Sequence, residues 1–487
     1  FAISSFLSPS YRIRAPAVGE RSVFEPAFLA RYRFIFNANS IIWEGYQKYK
    51  DGAFVVRRLD SDLLVLSNKY LGELRLLPNT KLSNVHAQVE NMLGEYTYSS
   101  FLLDSDQHVR VLQKHLIPNL KTFLLRAEEE LDYSFHNDVP RPDDWTEVDI
   151  QEILRIMVAR ASSKVFIGDP ACRDKTWLKL CLEFPINVFM TTFIMRLFPP
   201  FLYPIIAMIL PPRYWLHRNI KLAKKIITPM IEDYRRLVAL KEREGAEEKE
   251  KSNLLEWMID NARGNESDPG ILSARLMFLS LASIHSTSSA ATNALFDLCS
   301  HPEYVEPLRE EITEVMGKSS DPSKQDLNKL RKLDSFLKES QRFNPPILLS
   351  PQRVTMEDLT LSDGTFVPDG TSIAFPSGPL LQDPNLVPEP GKFDAFRSYR
   401  HRQLPGEATR HMMVSTDKDH LYFGHGKQAC PGRFFAANEI KLIMVRFLME
   451  FELRLPAGKS RPRNFTIDEM CFTDPWAKLE IRKRRNV

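Results

Sequence analysis

The chain has 487 residues, 43% hydrophobic and 26% charged, an ordinary soluble balance with ample material for a large core. Its 65 basic and 62 acidic side chains leave a formal charge of +3, and no long basic block interleaves with aromatics, so no nucleic-acid partner is expected. Thirty-three prolines against 19 glycines suit proline-punctuated helices, and five cysteines, odd in number and without a CxxC pair, argue against a disulfide framework or a zinc cage.

The chain opens with Phe1, and no run of about twenty apolar residues follows, so an N-terminal membrane anchor is expected to be absent from this chain. Up to about Leu77 there are strand-like runs, Ala53–Arg57 and Leu63–Leu66. From about Ser83 to Glu339 the pattern is mostly helical. The segment from Phe184 to Pro212 is the most apolar. Arg196 inside it, with Pro199, Pro200 and Pro204, weighs against a spanning helix. Two helices joined by an apolar turn, over a hydrophobic cavity or at a membrane surface, are expected instead. Lys241–Ser252 is a charged run, read as a solvated helix end or loop.

Ile271–Cys299 reads as one helix, roughly 45 Å long at 1.5 Å per residue. Its centre, Ala282-Ser-Ile-His-Ser-Thr-Ser-Ser289, is rich in hydroxyls, which are poor for helix propensity unless they bond back to preceding carbonyls. Glu339 and Arg342 are three apart and share a helix face; spacing alone makes them an ordinary surface ion pair. Strand and loop return around Arg353–Pro376, and the amphipathic helix Arg433–Glu452 follows later. No linker separates independent domains, so 1–487 is read as a single domain.

The segment Phe423-Gly-His-Gly-Lys-Gln-Ala-Cys430-Pro-Gly-Arg433 combines a glycine-rich loop, a cysteine and the start of that helix. Glycines let a backbone lie close to a flat ligand. A cysteine at a helix N-terminus, with Pro431 at an early helical position, has its thiolate favoured by the dipole and free amides. Gly424 and Gly426 do not make a dinucleotide loop, because the third glycine is misplaced and no βαβ unit surrounds it. A nucleophilic cysteine and a purely structural one both remain open from this loop alone.

This loop resembles the haem-binding segment of cytochromes P-450, Phe-x-x-Gly-x-x-x-Cys-x-Gly with a trailing Arg. With the following FFAANEIK it is most similar to filamentous-fungal members that tailor secondary metabolites. The resemblance implies a mainly α fold with a small β-rich lobe, a helical prism around a buried haem b. It implies Cys430 as the thiolate ligand of iron, in a loop whose Phe423, Gly424, Gly426, Gln428 and Gly432 bind the cofactor. Other motifs occur in family order. Glu339-Ser-Gln-Arg342 resembles the family's Glu-x-x-Arg, a buried structural lock that Arg397, in Phe393-Asp-Ala-Phe-Arg397, would complete. Arg353 matches a propionate arginine. His108 and Lys114 are propionate candidates in Gln107–Lys114, where the family's Trp-x-x-x-Arg is not recognisable. Ala282 and the residues after it would lie over the distal face of the haem. There Ser283 replaces the usual Gly, His285 the acid and Ser286 the first Thr, while Thr287 matches the second. His285, Ser286 and Thr287 are the expected proton-delivery residues.

The implied activity is dioxygen activation and oxidation of an apolar metabolite such as a terpenoid, alkaloid or polyketide. Electrons would come from NADPH through a separate flavoprotein reductase, at the cytosolic face of the endoplasmic reticulum membrane. Alternatives are a haem-thiolate enzyme that dehydrogenates, rearranges or expands a ring, and a non-enzymatic haem sensor.

Overall fold

The structure, a computed structural model, describes residues 15–22, 24–244, 251–317 and 327–485. It is mainly α-helical with a small β-rich lobe. The long helices are α1 (Ala27–Lys48), α2 (Leu120–Asn137), α3 (Ile150–Ile167), α4 (Lys175–Arg196), α5 (Pro211–Glu244), α6 (Pro269–Ser300), α7 (Arg331–Phe343) and α8 (Arg433–Glu450).

Helix α6 organises the helical part. Asp268 caps it by accepting from the Ile271 amide, and Pro269 occupies its first turn, where a missing N–H costs nothing. Its 32 residues run about 48 Å, with α3, α4, α5, α7 and α8 packed against it. Leu272, Leu276, Ile284, Ala291, Leu295 and Leu298 are buried there, and each large aliphatic side chain so removed from water contributes about 1.5–3 kcal/mol.

Helix α4 is long and apolar enough to cross a membrane. Here it is a packed core helix: Trp177, Cys181, Phe184, Val188 and Met195 are buried, and it lies against α3, α5 and α6. The connection to α5 contains a short helix, Tyr203–Ile209, so two helices joined by an apolar turn are what the proline-rich segment forms. Apolar side chains remain exposed on this connection, Phe201 and Ile209 at 71% each, and on α1, where Phe36 is 76% exposed. Tyr32 of α1 donates to the Leu197 carbonyl at 3.0 Å, which joins the two surfaces.

The lobe is a six-stranded sheet in the order β1 (Ala17–Val18), β2 (Ala53–Arg57), β3 (Asp62–Leu66), β9 (Ser372–Ala374), β6 (Arg353–Thr355), β4 (Leu82–Ser83). The β2–β3 hairpin pairs Val55 with Leu64, and Val56, Leu63 and Val65 bury against α1 residues Phe34, Ala38 and Ile42. The intervening β5 (Thr146–Val148) joins β13 (Leu479–Lys483) and β10 (Phe451–Arg454) in a second sheet; β7 (Leu359–Thr360) pairs β8 (Phe366–Val367), and β11 (Phe465–Ile467) pairs β12 (Met470–Phe472).

Two expected boundaries shift. Helix α8 ends at Glu450 because Phe451 turns extended (φ −126°, ψ 150°) to begin β10. Of the charged run, 241–244 extend α5, whereas 245–250 lie outside the described residues.

Candidate functional site

The loop before α8 closes on itself. The Cys430 amide donates to the Phe423 carbonyl at 2.8 Å and the Gly424 amide to that of Leu421 at 2.9 Å. Gly424 and Gly426 have φ of +71° and +78°, which side-chain-bearing residues rarely adopt. Gly426 is required for a second reason: a Cβ there would stand 2.8 Å from the Arg75 carbonyl oxygen. Its close neighbour is thus the Arg75 backbone. The helix begins at Arg433 with Gly432 as its N-cap, so Pro431 sits in the preceding turn and not at the first helical position expected for it.

Burial pushes the Cys430 thiol up from its ordinary value, opposed by the Gly432 amide, the Arg433 charge and the Arg433 amide. The residue as a whole is nonetheless exposed, the only one of the five free cysteines in that state. The expected thiolate preference is therefore partial: the amides supply it and burial outweighs them. A bound cation would complete it, since a coordinating thiol loses its proton outright.

On α6, Ala282 and Ser286 are exposed in mid-helix while Ile284, Thr287 and Ser288 are buried, so the helix presents one open face within the packed bundle. Ser286 Oγ donates to the Ala282 carbonyl at 2.8 Å. His285 sits at the flank of that face, against α3 and α4. Burial pushes its imidazole down to about 4, with Arg155 adding to this and a hydrogen bond to the Leu182 backbone opposing it. Burial at this position thus favours the neutral ring. Its Nε2 and the Ser283 Oγ are buried without a partner.

Arg353 is buried, donates to the Gln352 carbonyl at 2.7 Å, and pairs with no carboxylate among the described residues. Burial alone pushes its guanidinium down to about 10. Gln428 spends its NH2 group on Asn79 Oδ1 (2.6 Å) and the Leu82 carbonyl (3.1 Å), leaving Oε1 buried and unpartnered. His108 and Lys114 each have a partner within the chain. Buried Arg275 donates to His108 Nδ1 at 3.0 Å, and burial with that adjacent charge holds the imidazole down at about 4, so it offers no cation. Lys114 is exposed and reaches Asn261 Oδ1 at 3.5 Å.

Glu339 and Arg342, 3% and 5% exposed, are not a surface pair. Arg342 donates Nε to Glu339 Oε2 (3.0 Å) and Nη2 to Oε1 (2.8 Å), and Arg397 Nε stands 3.6 Å from Oε2. The remaining Arg342 donors go to the carbonyls of Leu381, Pro390 and Lys392.

A second buried cluster had no sequence signal. Arg58 meets Glu469 (2.9 Å), Arg196 at the end of α4 meets Asp60 (3.1 Å), and Asp468 lies 3.9 Å from Arg196. Asp468 and Glu469 form the turn between β11 and β12, and the Asp468 amide donates to the Ile35 carbonyl of α1.

These residues fit a haem. They supply a soft sulfur donor at a helix N-terminus, a buried guanidinium lacking an internal anion, and an open helix face carrying a hydroxyl. Asn79, Arg75 and Arg275 shape the surroundings and were not singled out from sequence; Arg275, a cation within an apolar helix, carried the one available signal.

A family model described as Cytochrome P450 matches residues 87–478. Cytochrome P450 monooxygenase AN1598 of Emericella nidulans is 46% identical over 99% of this chain and 90% of its own. Ent-kaurene oxidase P450-4 of Gibberella fujikuroi is 42% identical over 98% of this chain and 94% of its own. The solved structure of retinoic acid bound cyanobacterial CYP120A1 superposes with a TM-score of 0.70 at 17% identity, covering 97% of this chain and 100% of that one.

Proposed function

Because this chain belongs to the cytochrome P450 family, we propose that it oxidises an apolar secondary metabolite, first of all a terpenoid, at a haem held by Cys430. The observation that carries the reading is Cys430 at the N-terminus of α8, the one exposed residue among the five free cysteines. When bound, haem b would supply dioxygen activation, with the thiolate favouring O–O cleavage.

The chain's own residues do the rest. The Gly432 and Arg433 amides hold negative charge on sulfur. Arg353, lacking an internal anion, is the residue to pair with a cofactor carboxylate. Ser286 directs its proton to the Ala282 carbonyl and turns its lone pairs to the open face, where it can hold a proton donor; Thr287 packs behind it. The likeness to ent-kaurene oxidase supports a terpenoid. In this reading 1–487 acts as one catalytic domain, fed with electrons from NADPH by a separate flavoprotein reductase. The exposed apolar surface of α1 and the α4–α5 connection rests on the cytosolic face of the endoplasmic reticulum membrane.

The test pairs wild type with Cys430→Ser. Wild type should give the red-shifted thiolate band of the reduced carbon monoxide complex and convert a terpenoid panel, beginning with ent-kaurene, with label from dioxygen in the product. A variant that keeps the band removes Cys430 as ligand; unlabelled product from wild type removes oxygen insertion.

A further inference from the structure

Helix α5 carries a charge pattern that the oxidation chemistry does not use. From Pro211 to Ile231 it holds Arg213, Arg218, Lys221, Lys224 and Lys225 and no carboxylate, in a chain whose basic and acidic side chains number 65 and 62. By helical periodicity Tyr214, Arg218, Lys221 and Lys225 share one face, and all four are exposed; Leu216, Asn219, Ala223 and Ile227 form the buried face. Among the described residues no carboxylate pairs with Arg218, Lys221 or Lys225. Some exposed cations elsewhere find one, Lys48 with Glu44, Arg236 with Asp233 and Arg410 with Glu407, and others do not; what sets this helix apart is that its unpaired cations share one face.

The stripe starts at the apolar connection. Tyr214 donates its hydroxyl to the Met208 carbonyl, which fixes the first turn of α5 to the short helix Tyr203–Ile209. Exposed side chains then follow in a definite order: Phe201 and Ile209, next Tyr214 and Trp215 at 58% and 55%, next Arg218, Lys221 and Lys225. Apolar tip residues, then Tyr and Trp, then cations are groups favoured by hydrocarbon, interface and headgroups respectively. From Tyr214 to Lys225 the helix rises about 16 Å, so the cations all reach headgroups only if α5 lies along the surface.

We propose that the N-terminal half of α5 lies along the bilayer and binds anionic phospholipid headgroups through Arg218, Lys221 and Lys225. Anionic lipid content then sets how tightly the enzyme docks. This rests on the membrane reading above and adds its lipid class and orientation.

The test is co-sedimentation of the haem-loaded protein with phosphatidylcholine vesicles and with vesicles holding about 30 mol % phosphatidylserine. Wild type should bind the anionic vesicles more tightly, with the advantage shrinking as salt rises. Each cation near such a surface is worth about fivefold, so combined Arg218→Gln, Lys221→Gln and Lys225→Gln should lose on the order of a hundredfold there and nothing on neutral vesicles. Phe201→Ser with Ile209→Ser should weaken binding to both. An unchanged carbon monoxide spectrum checks that each variant is folded. Equal wild-type binding to both vesicles, or an unaffected triple variant, overturns the headgroup proposal and leaves the membrane reading standing. Wild type that binds neither vesicle overturns both.

Discussion

At the end of α7, Glu339 offers two oxygens to two nitrogens of Arg342, and the other Arg342 donors are taken by three backbone carbonyls. At the end of α4, three carboxylates, Asp60, Asp468 and Glu469, share two guanidinium groups, Arg58 and Arg196. There Asp468 Oδ1 and Glu469 Oε2 are buried without a hydrogen bond, and Asp468 holds a left-handed φ of +51°. The Glu339–Arg342 pair is balanced and its hydrogen bonds are filled around the loops before Cys430, with Arg397 Nε left beside it without one. The second cluster has surplus negative charge and ties together α1, α4 and the β11–β12 turn. Filled hydrogen bonds fix geometry; a cluster with surplus negative charge holds its elements together while keeping a group that can still take up a proton.

The largest expected effect breaks the first cluster. Glu339→Ala or Arg342→Ala strands a buried charge, which costs about 3–5 kcal/mol, and should give poorly folded, haem-poor protein in melting and cofactor-content assays. Arg196→Ala should cost somewhat less, about 3 kcal/mol, because it takes a partner from Asp60, Asp468 and the Asn91 carbonyl while Asp468 can take up a proton to offset the surplus charge. Asp468→Asn should stabilise. Burial and the neighbouring Glu469 push the Asp468 carboxyl up to about 6, with Arg196 and Arg58 pulling the other way. The folded chain holds that proton more tightly than the unfolded one, whose carboxyl titrates near about 3.9, so this contribution is complete below that pH and is lost as pH rises through about 6. The variant should therefore melt higher than wild type at pH 7, by something on the order of 1 kcal/mol, with the gap closing near pH 4. The smallest effect is Arg397→Lys, below about 1 kcal/mol, since Arg397 stands 3.6 Å from Glu339 and is partly exposed.

How far these features were legible depends on sequence distance. The Cys430 loop and the Glu339–Arg342 spacing are local patterns, and the helix around Ala282 announces itself by length and by Asp268 and Pro269 at its start. Burial of the Glu339 pair came from the family resemblance, because a three-residue spacing reads alike on a surface helix. The second cluster pairs residues as far apart as Arg58 and Glu469, 411 positions, and no local pattern marks such a contact. His285 shows the other limit. Its place in the motif was readable, but packing of α3 and α4 decides what its ring meets, and burial there keeps it neutral. His108 was likewise claimed by Arg275, a residue 167 positions away.

The distribution of thiols has an analytical consequence. Burial raises Cys172, Cys181, Cys299 and Cys471 to about 12. At pH 8 the reactive fraction of each is then on the order of one in ten thousand. Cys430 is the thiol an alkylating reagent can reach, and a ligand on its sulfur shields it. A single mass increment after brief labelling of the native protein therefore counts the molecules that carry no cofactor, without any spectroscopy.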